Sequence, residues 1–153
     1  MGRWLRGASC VPNRVLCSTA RRSRETWQLA QPGLATAPPV TFDEGIYEGT
    51  TAELLALVRR IPAETGTLLL LGHAPAIQDL AVMLVAAASG AAARTAQGAA
   101  GGDDLERMRA KFPTAAIAVL EPAGTWHDLT PGQAWLTAFV TPRDLAGRRR
   151  PGS

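Results

Sequence analysis

The residues best placed to do chemistry fall at two short junctions. The first is Cys17-Ser18-Thr19, which follows the apolar burst Val15 to Cys17 and precedes Arg21, Arg22 and Arg24. The second is Gly72-His73, which follows the apolar stretch Thr67 to Leu71 and precedes Pro75. Each reads as a strand handing over to a helix, and in open α/β sheets ligands bind at such carboxyl ends. A helix N-terminus offers unpaired amides and partial positive charge, which suits phosphate. Arg22 lies one turn beyond Ser18, where its planar fork can reach back to the same mouth. His73 would enter from the neighbouring strand, with Gly72 allowing close backbone approach and Pro75 opening the next helix. The chemistry predicted is the binding of a phosphoryl anion by Ser18, Arg22 and His73.

Each of these residues also has an ordinary role open to it. A histidine at a strand end can be a packed, satisfied side chain. An arginine on a helix is usually solvated, and Ser18 or Thr19 would serve as a helix N-cap. Their joint occurrence at two equivalent junctions is what favours a site. Cys17 suggests a different chemistry, that of a cysteine-dependent phosphatase, but the arginine it needs would stand at position 23, which is Ser23.

The surrounding elements follow from hydrophobic period and punctuation. A helix is expected after Ser18-Thr19, ended by Pro32-Gly33, and a short strand over Val40 to Phe42. Thr50 and Glu53 form a capping box, with Leu54, Leu57, Val58 and Ile61 on one face and Pro62 as the stop. The helix after Pro75 turns Ile77, Leu80, Ala81 and Leu84 inward. Ser89 to Gly102 is almost all small residues and reads as a mobile loop. "DDLERMRAKF" is a short helix with acids first and bases last. "PTAAIAVLE" and "AWLTAFVTP" are strands joined through the Pro/Gly-rich "PAGTWHDLTPGQ". The fold class is α/β, with a mainly parallel sheet and late antiparallel strands.

Composition limits the partners. The 153 residues form one domain's worth of chain, with a net charge of +3. Fifteen of the sixteen basic residues are arginine, and Lys111 is the only lysine. Much of the excess sits in Arg148, Arg149 and Arg150, read as a solvated basic tail over 146–153. No nucleic-acid motif accompanies it, so a nucleic-acid partner is not expected. Cys10 and Cys17 lack metal-ligand spacing, and neither a metal nor a cofactor is expected. The longest apolar run, Leu80 to Ala88, falls short of the roughly twenty residues of a membrane span. "MGRWLRGASC" lacks the apolar core of a signal peptide, so the expected location is cytoplasmic.

The blocks "VLCSTARRSRETW", "LLLLGHAPAIQDLA", "KFPTAAIAVLE" and "FVTPRDL", in this order, resemble the phosphohistidine-phosphatase-like branch of the histidine phosphatase superfamily. The likeness runs from Gly2 to Leu145 and makes 1–145 one domain. It implies the three-layer phosphoglycerate-mutase-like fold and metal-independent phosphoryl transfer through a histidine. Arg22 matches the arginine of the S-x-x-x-R block, and His73 matches the family's second, phosphate-clamping histidine. Glu44 and Glu48 lie where some members place a general acid. The implied substrates are phosphorylated proteins or small phosphoesters.

One feature of the family's pattern is missing from the sequence. No Arg-His pair precedes Cys17, and His127 matches no nucleophile position. "MGRWLRG" looks like the last turn of the family's first helix. The expectation is therefore a phosphatase lacking its first strand and nucleophile, inactive as it stands. Translating the DNA upstream of Met1 tests whether the start is misplaced. Without that strand, unpaired sheet edges would make the product poorly soluble. The alternatives are a non-catalytic phosphate or phosphoprotein-binding domain, and a basic module acting through its arginine tail.

Overall fold

A computed structural model describes residues 1–85 and 103–147. The expected loop over 89–102 and the arginines of the tail lie outside the described residues. The chain divides into two compact units: Met1–Leu80 with Thr125–Leu129, and Ala81–Gly124 with Thr130–Ser153. The elements are mixed α and β, with parallel strands in the first unit and an antiparallel pair in the second.

In the first unit α1 (Gly2–Gly7) leads to β1 (Arg14–Ser18), α2 (Arg21–Ala30) and a 3-10 turn over Gln31–Leu34. β2 (Val40–Asp43), α3 (Glu44–Glu48), α4 (Thr51–Arg59), β3 (Leu68–Leu71) and the start of α5 (Ala76–Val85) follow. The strand order is β2-β1-β3, all parallel, so β1 is central. Both faces of a central parallel strand are covered, which explains why its last four residues are buried without alternation. The register sets Cys17 beside Leu71 and Ser18 beside Asp43. The two predicted junctions thus lie at neighbouring strand ends.

α4 begins with the predicted capping box: Thr50 Oγ1 accepts from the Glu53 amide, and Glu53 accepts from the Thr50 amide. Three of the four predicted inward residues, Leu54, Val58 and Ile61, are buried; the correction is at one position, where Leu55 is buried and Leu57 is only half-buried. The predicted cap of α2 also needs correction. Ala20 is the N-cap, and no side chain caps this helix. Ser18 Oγ instead accepts from the Ala20 amide at 3.2 Å, in the turn before the helix.

The segment Thr125–Leu129 belongs to this first unit. Trp126 donates its indole N–H to the Thr65 carbonyl at 2.7 Å, and Arg59 donates to the Leu129 carbonyl at 2.7 Å. Both bonds satisfy backbone carbonyls from distant side chains, so this turn-rich stretch has a fixed place despite its composition.

In the second unit the end of α5, a helix α6 over 103–110 and the antiparallel pair β4 (Ile117–Pro122) and β5 (Ala134–Val140) share a separate core, followed by α7 (Pro142–Gly147), which has no buried residue. Ala81, Val85, Met108, Leu136 and Phe139 are the buried members of that core. Asp144 ties its ends together, accepting from Arg107 at 2.7 Å and from the Thr141 amide at 2.8 Å. The Thr141 amide, then the Arg107 guanidinium, hold the Asp144 carboxyl down at about 2.

Candidate phosphate site

The site grows from one buried polar residue. Ser18 ends the central strand with no exposed surface, and a buried hydroxyl needs partners. It has two: the Ala20 amide, and His73 Nε2 at 2.9 Å. This contact joins the two junctions across the pairing of β1 with β3. His73 is itself placed by its backbone, since its carbonyl accepts from the Ile77 amide at 2.9 Å in the entry to α5.

Gly72 makes the approach possible. A Cβ there would lie 2.7 Å from Ile77 Cγ1 and 3.0 Å from Ile46 Cγ2. Glycine lets α3 and α5 close on the strand end. Pro75 precedes α5, its carbonyl accepting from the Asp79 amide at 2.8 Å.

Two further side chains meet His73 that sequence reasoning did not single out. Ser23, buried in the first turn of α2, places its Oγ 3.4 Å from Nε2. Tyr47 of α3 stands edge-to-face against the imidazole, with ring centroids 5.5 Å apart. A signal for Ser23 existed, because it shares the buried stripe of α2 with Trp27 and Ala30 at i, i+4 and i+7. For Tyr47 there was none, since a five-residue helix carries too little periodicity to be seen.

Arg22 occupies the first turn of α2 with an exposed side chain. Its guanidinium makes no hydrogen bond or ion pair among the described residues, whereas that of Arg21 is held by Glu25 at 2.8 Å. Glu44 and Glu48 are exposed at the two ends of α3. Neither makes a hydrogen bond or ion pair with His73 among the described residues, while Tyr47 between them makes a ring contact with it. His127 is exposed in the turn over Thr125–Leu129.

The cysteine reading loses ground on physical grounds. Cys17 is fully buried, and burial pushes its thiol up to about 11, against a smaller opposing effect of Arg24. A neutral buried thiol is a poor nucleophile. Ser18, though within bonding distance of a histidine, has no surface from which to attack a substrate. Among the described residues no cluster of His, Cys, Asp or Glu could hold a metal ion. No described helix is long and apolar enough to cross a membrane.

The start of α2, with no side-chain cap, and the Ser18-bonded imidazole of His73 lie at the ends of adjacent parallel strands.

No family model matches the chain. An uncharacterised protein of Mycobacterium tuberculosis is 39% identical over 142 residues, covering 93% of this chain and 81% of the relative. A Mycobacterium leprae protein, also uncharacterised, is 34% identical over the same span. Among solved structures, a protein of Nakamurella multipartitia assigned as phosphohistidine phosphatase SixA superimposes with a TM-score of 0.72. It is 32% identical, and the match covers 92% of this chain and 77% of that one. A SixA assignment from Agrobacterium tumefaciens, 22% identical with a TM-score of 0.63, shares the fold. The chain belongs to the phosphohistidine-phosphatase branch of the histidine phosphatase superfamily.

Proposed function

We propose that the 153-residue chain binds a phosphoryl group at the Ser18–His73 corner and, as it stands, does not hydrolyse it. The observation that carries this reading is the 2.9 Å contact between Ser18 Oγ and His73 Nε2. It supports a single anion pocket at the ends of β1 and β3. Arg22 and the uncapped amides of α2 supply fixed positive charge there, the kind of preorganised stabilisation that phosphoryl chemistry uses.

The phosphohistidine-phosphatase neighbour supports a phosphorylated substrate, and under this reading it is a phosphorylated protein or a small phosphoester met in the cytoplasm. Turnover would need a covalent acceptor facing the pocket. Ser18 and Cys17 are sealed, and His127 lies in the Trp126-containing turn rather than at a strand end. Glu44 or Glu48 could donate a proton to a leaving group only after such an acceptor had taken the phosphoryl.

A dedicated binder of phosphate or phosphoprotein is the second reading, favoured by the uncommitted Arg22. Two measurements on the purified chain test the proposal together. Inorganic phosphate should bind by calorimetry, and p-nitrophenyl phosphate should be cleaved no faster than in buffer. Turnover abolished by His73→Ala would contradict the inactive reading. Absence of phosphate binding would contradict the pocket.

A further inference from the structure

A neutral imidazole carries one proton on one of two nitrogens, and the partner of the other nitrogen decides which. In His73 the Nε2 side faces two hydroxyls, Ser18 Oγ at 2.9 Å and Ser23 Oγ at 3.4 Å. Both serines are buried, Ser18 at 0% and Ser23 at 5% exposure, so water competes weakly for either. Nδ1 has no hydrogen-bond partner among the described residues.

The other contact of Ser18 favours one direction for its bond to His73. Ser18 Oγ already accepts from the Ala20 amide. Its own proton is left to donate, and His73 Nε2 is the acceptor within reach. Ser23 is unusual for a helical serine, which commonly bonds back to a carbonyl of the preceding turn. Thr26 does this, donating to the Arg22 carbonyl at 2.9 Å. The Ser23 hydroxyl faces the imidazole instead.

We propose that Ser18 and Ser23 form a buried two-hydroxyl seat that holds neutral His73 with its proton on Nδ1. That N–H is then the ring's donor to a bound anion, and the ring need not be an imidazolium to serve. In water the neutral histidine ring favours the opposite tautomer, so the seat reverses an intrinsic preference. Ser18 and Ser23 act through His73 and are positioning residues. The anion part of this inference rests on the function proposed above; the tautomer does not.

The test is long-range nitrogen–proton NMR of the His127→Gln chain, which leaves His73 as its one histidine, at about pH 8.5, where imidazole is neutral. The Nδ1–H tautomer should predominate. Ser23→Ala should raise the Nε2–H population severalfold, and Ser23→Thr, which keeps the hydroxyl, should restore the starting ratio. Phosphate titrated at the same pH should bind about threefold to tenfold more weakly to Ser23→Ala, the size expected for one neutral hydrogen bond. Predominance of Nε2–H in the starting chain would overturn the seat, and an unchanged ratio in Ser23→Ala would remove Ser23 from it. An Nδ1–H ring that binds no phosphate would leave the seat standing and overturn the phosphate reading instead.

Discussion

Replacing Arg22 by alanine is expected to weaken phosphate binding by about 10- to 100-fold, the worth of a charge-assisted hydrogen-bond pair to an anion. The reasoning depends on what each arginine of "RRSR" already does. Arg21 is paired with Glu25 at 2.8 Å and its side chain is 87% exposed, so Arg21→Ala should change the affinity by less than about twofold. Arg22 has no such engagement and sits at the uncapped start of α2. A guanidinium there adds its planar pair of donors to the helix amides, and lysine would replace the charge without the fork. Arg22→Lys should therefore recover only part of the loss. Calorimetric titration of the three variants measures this, and equal effects at positions 21 and 22 would mean that the arginines act only as diffuse charge.

Leu54→Ala should cost about 2–5 kcal/mol of stability, the range for truncating a leucine in a packed core. Leu54 has no exposed surface, and its helix supports α3, whose Tyr47 meets His73. Leu57→Ala, three residues on but half-buried, should cost about 1 kcal/mol. Urea unfolding of both variants tests the assignment of faces on α4. Equal losses would show that Leu57 is as deeply packed as the hydrophobic spacing alone implies.

That contrast shows where sequence reading succeeded and where it fell short. Val15 to Cys17 was legible as a strand because a central parallel strand is buried on both faces and writes a continuous apolar run. The Thr50–Glu53 box was legible because capping is a local side-chain-to-backbone exchange. On α4 the hydrophobic spacing is right for Leu54, Val58 and Ile61 as inward residues, and it points to Leu57 where Leu55 is buried. Leu54, Leu55, Leu57 and Val58 are apolar all round the turn, and only the tertiary neighbours choose between Leu55 and Leu57.

The candidate site was legible in outline. Ser18 and His73 share a hydrogen bond because β1 and β3 are adjacent and in register. The details that depend on the third dimension were not. Ser18 turns from the helix amides toward His73, so the cap falls to Ala20. Ser23 and Tyr47 gain their roles only because α2 and α3 converge on one imidazole.

The most direct test is a crystal structure of the chain grown with tungstate, a tetrahedral oxyanion of phosphate-like geometry. The oxyanion should sit over the first turn of α2, with its oxygens about 3 Å from both the His73 ring and the Arg22 guanidinium. Tungstate bound elsewhere, with Arg22 and His73 too far apart to share one oxyanion, would contradict the account.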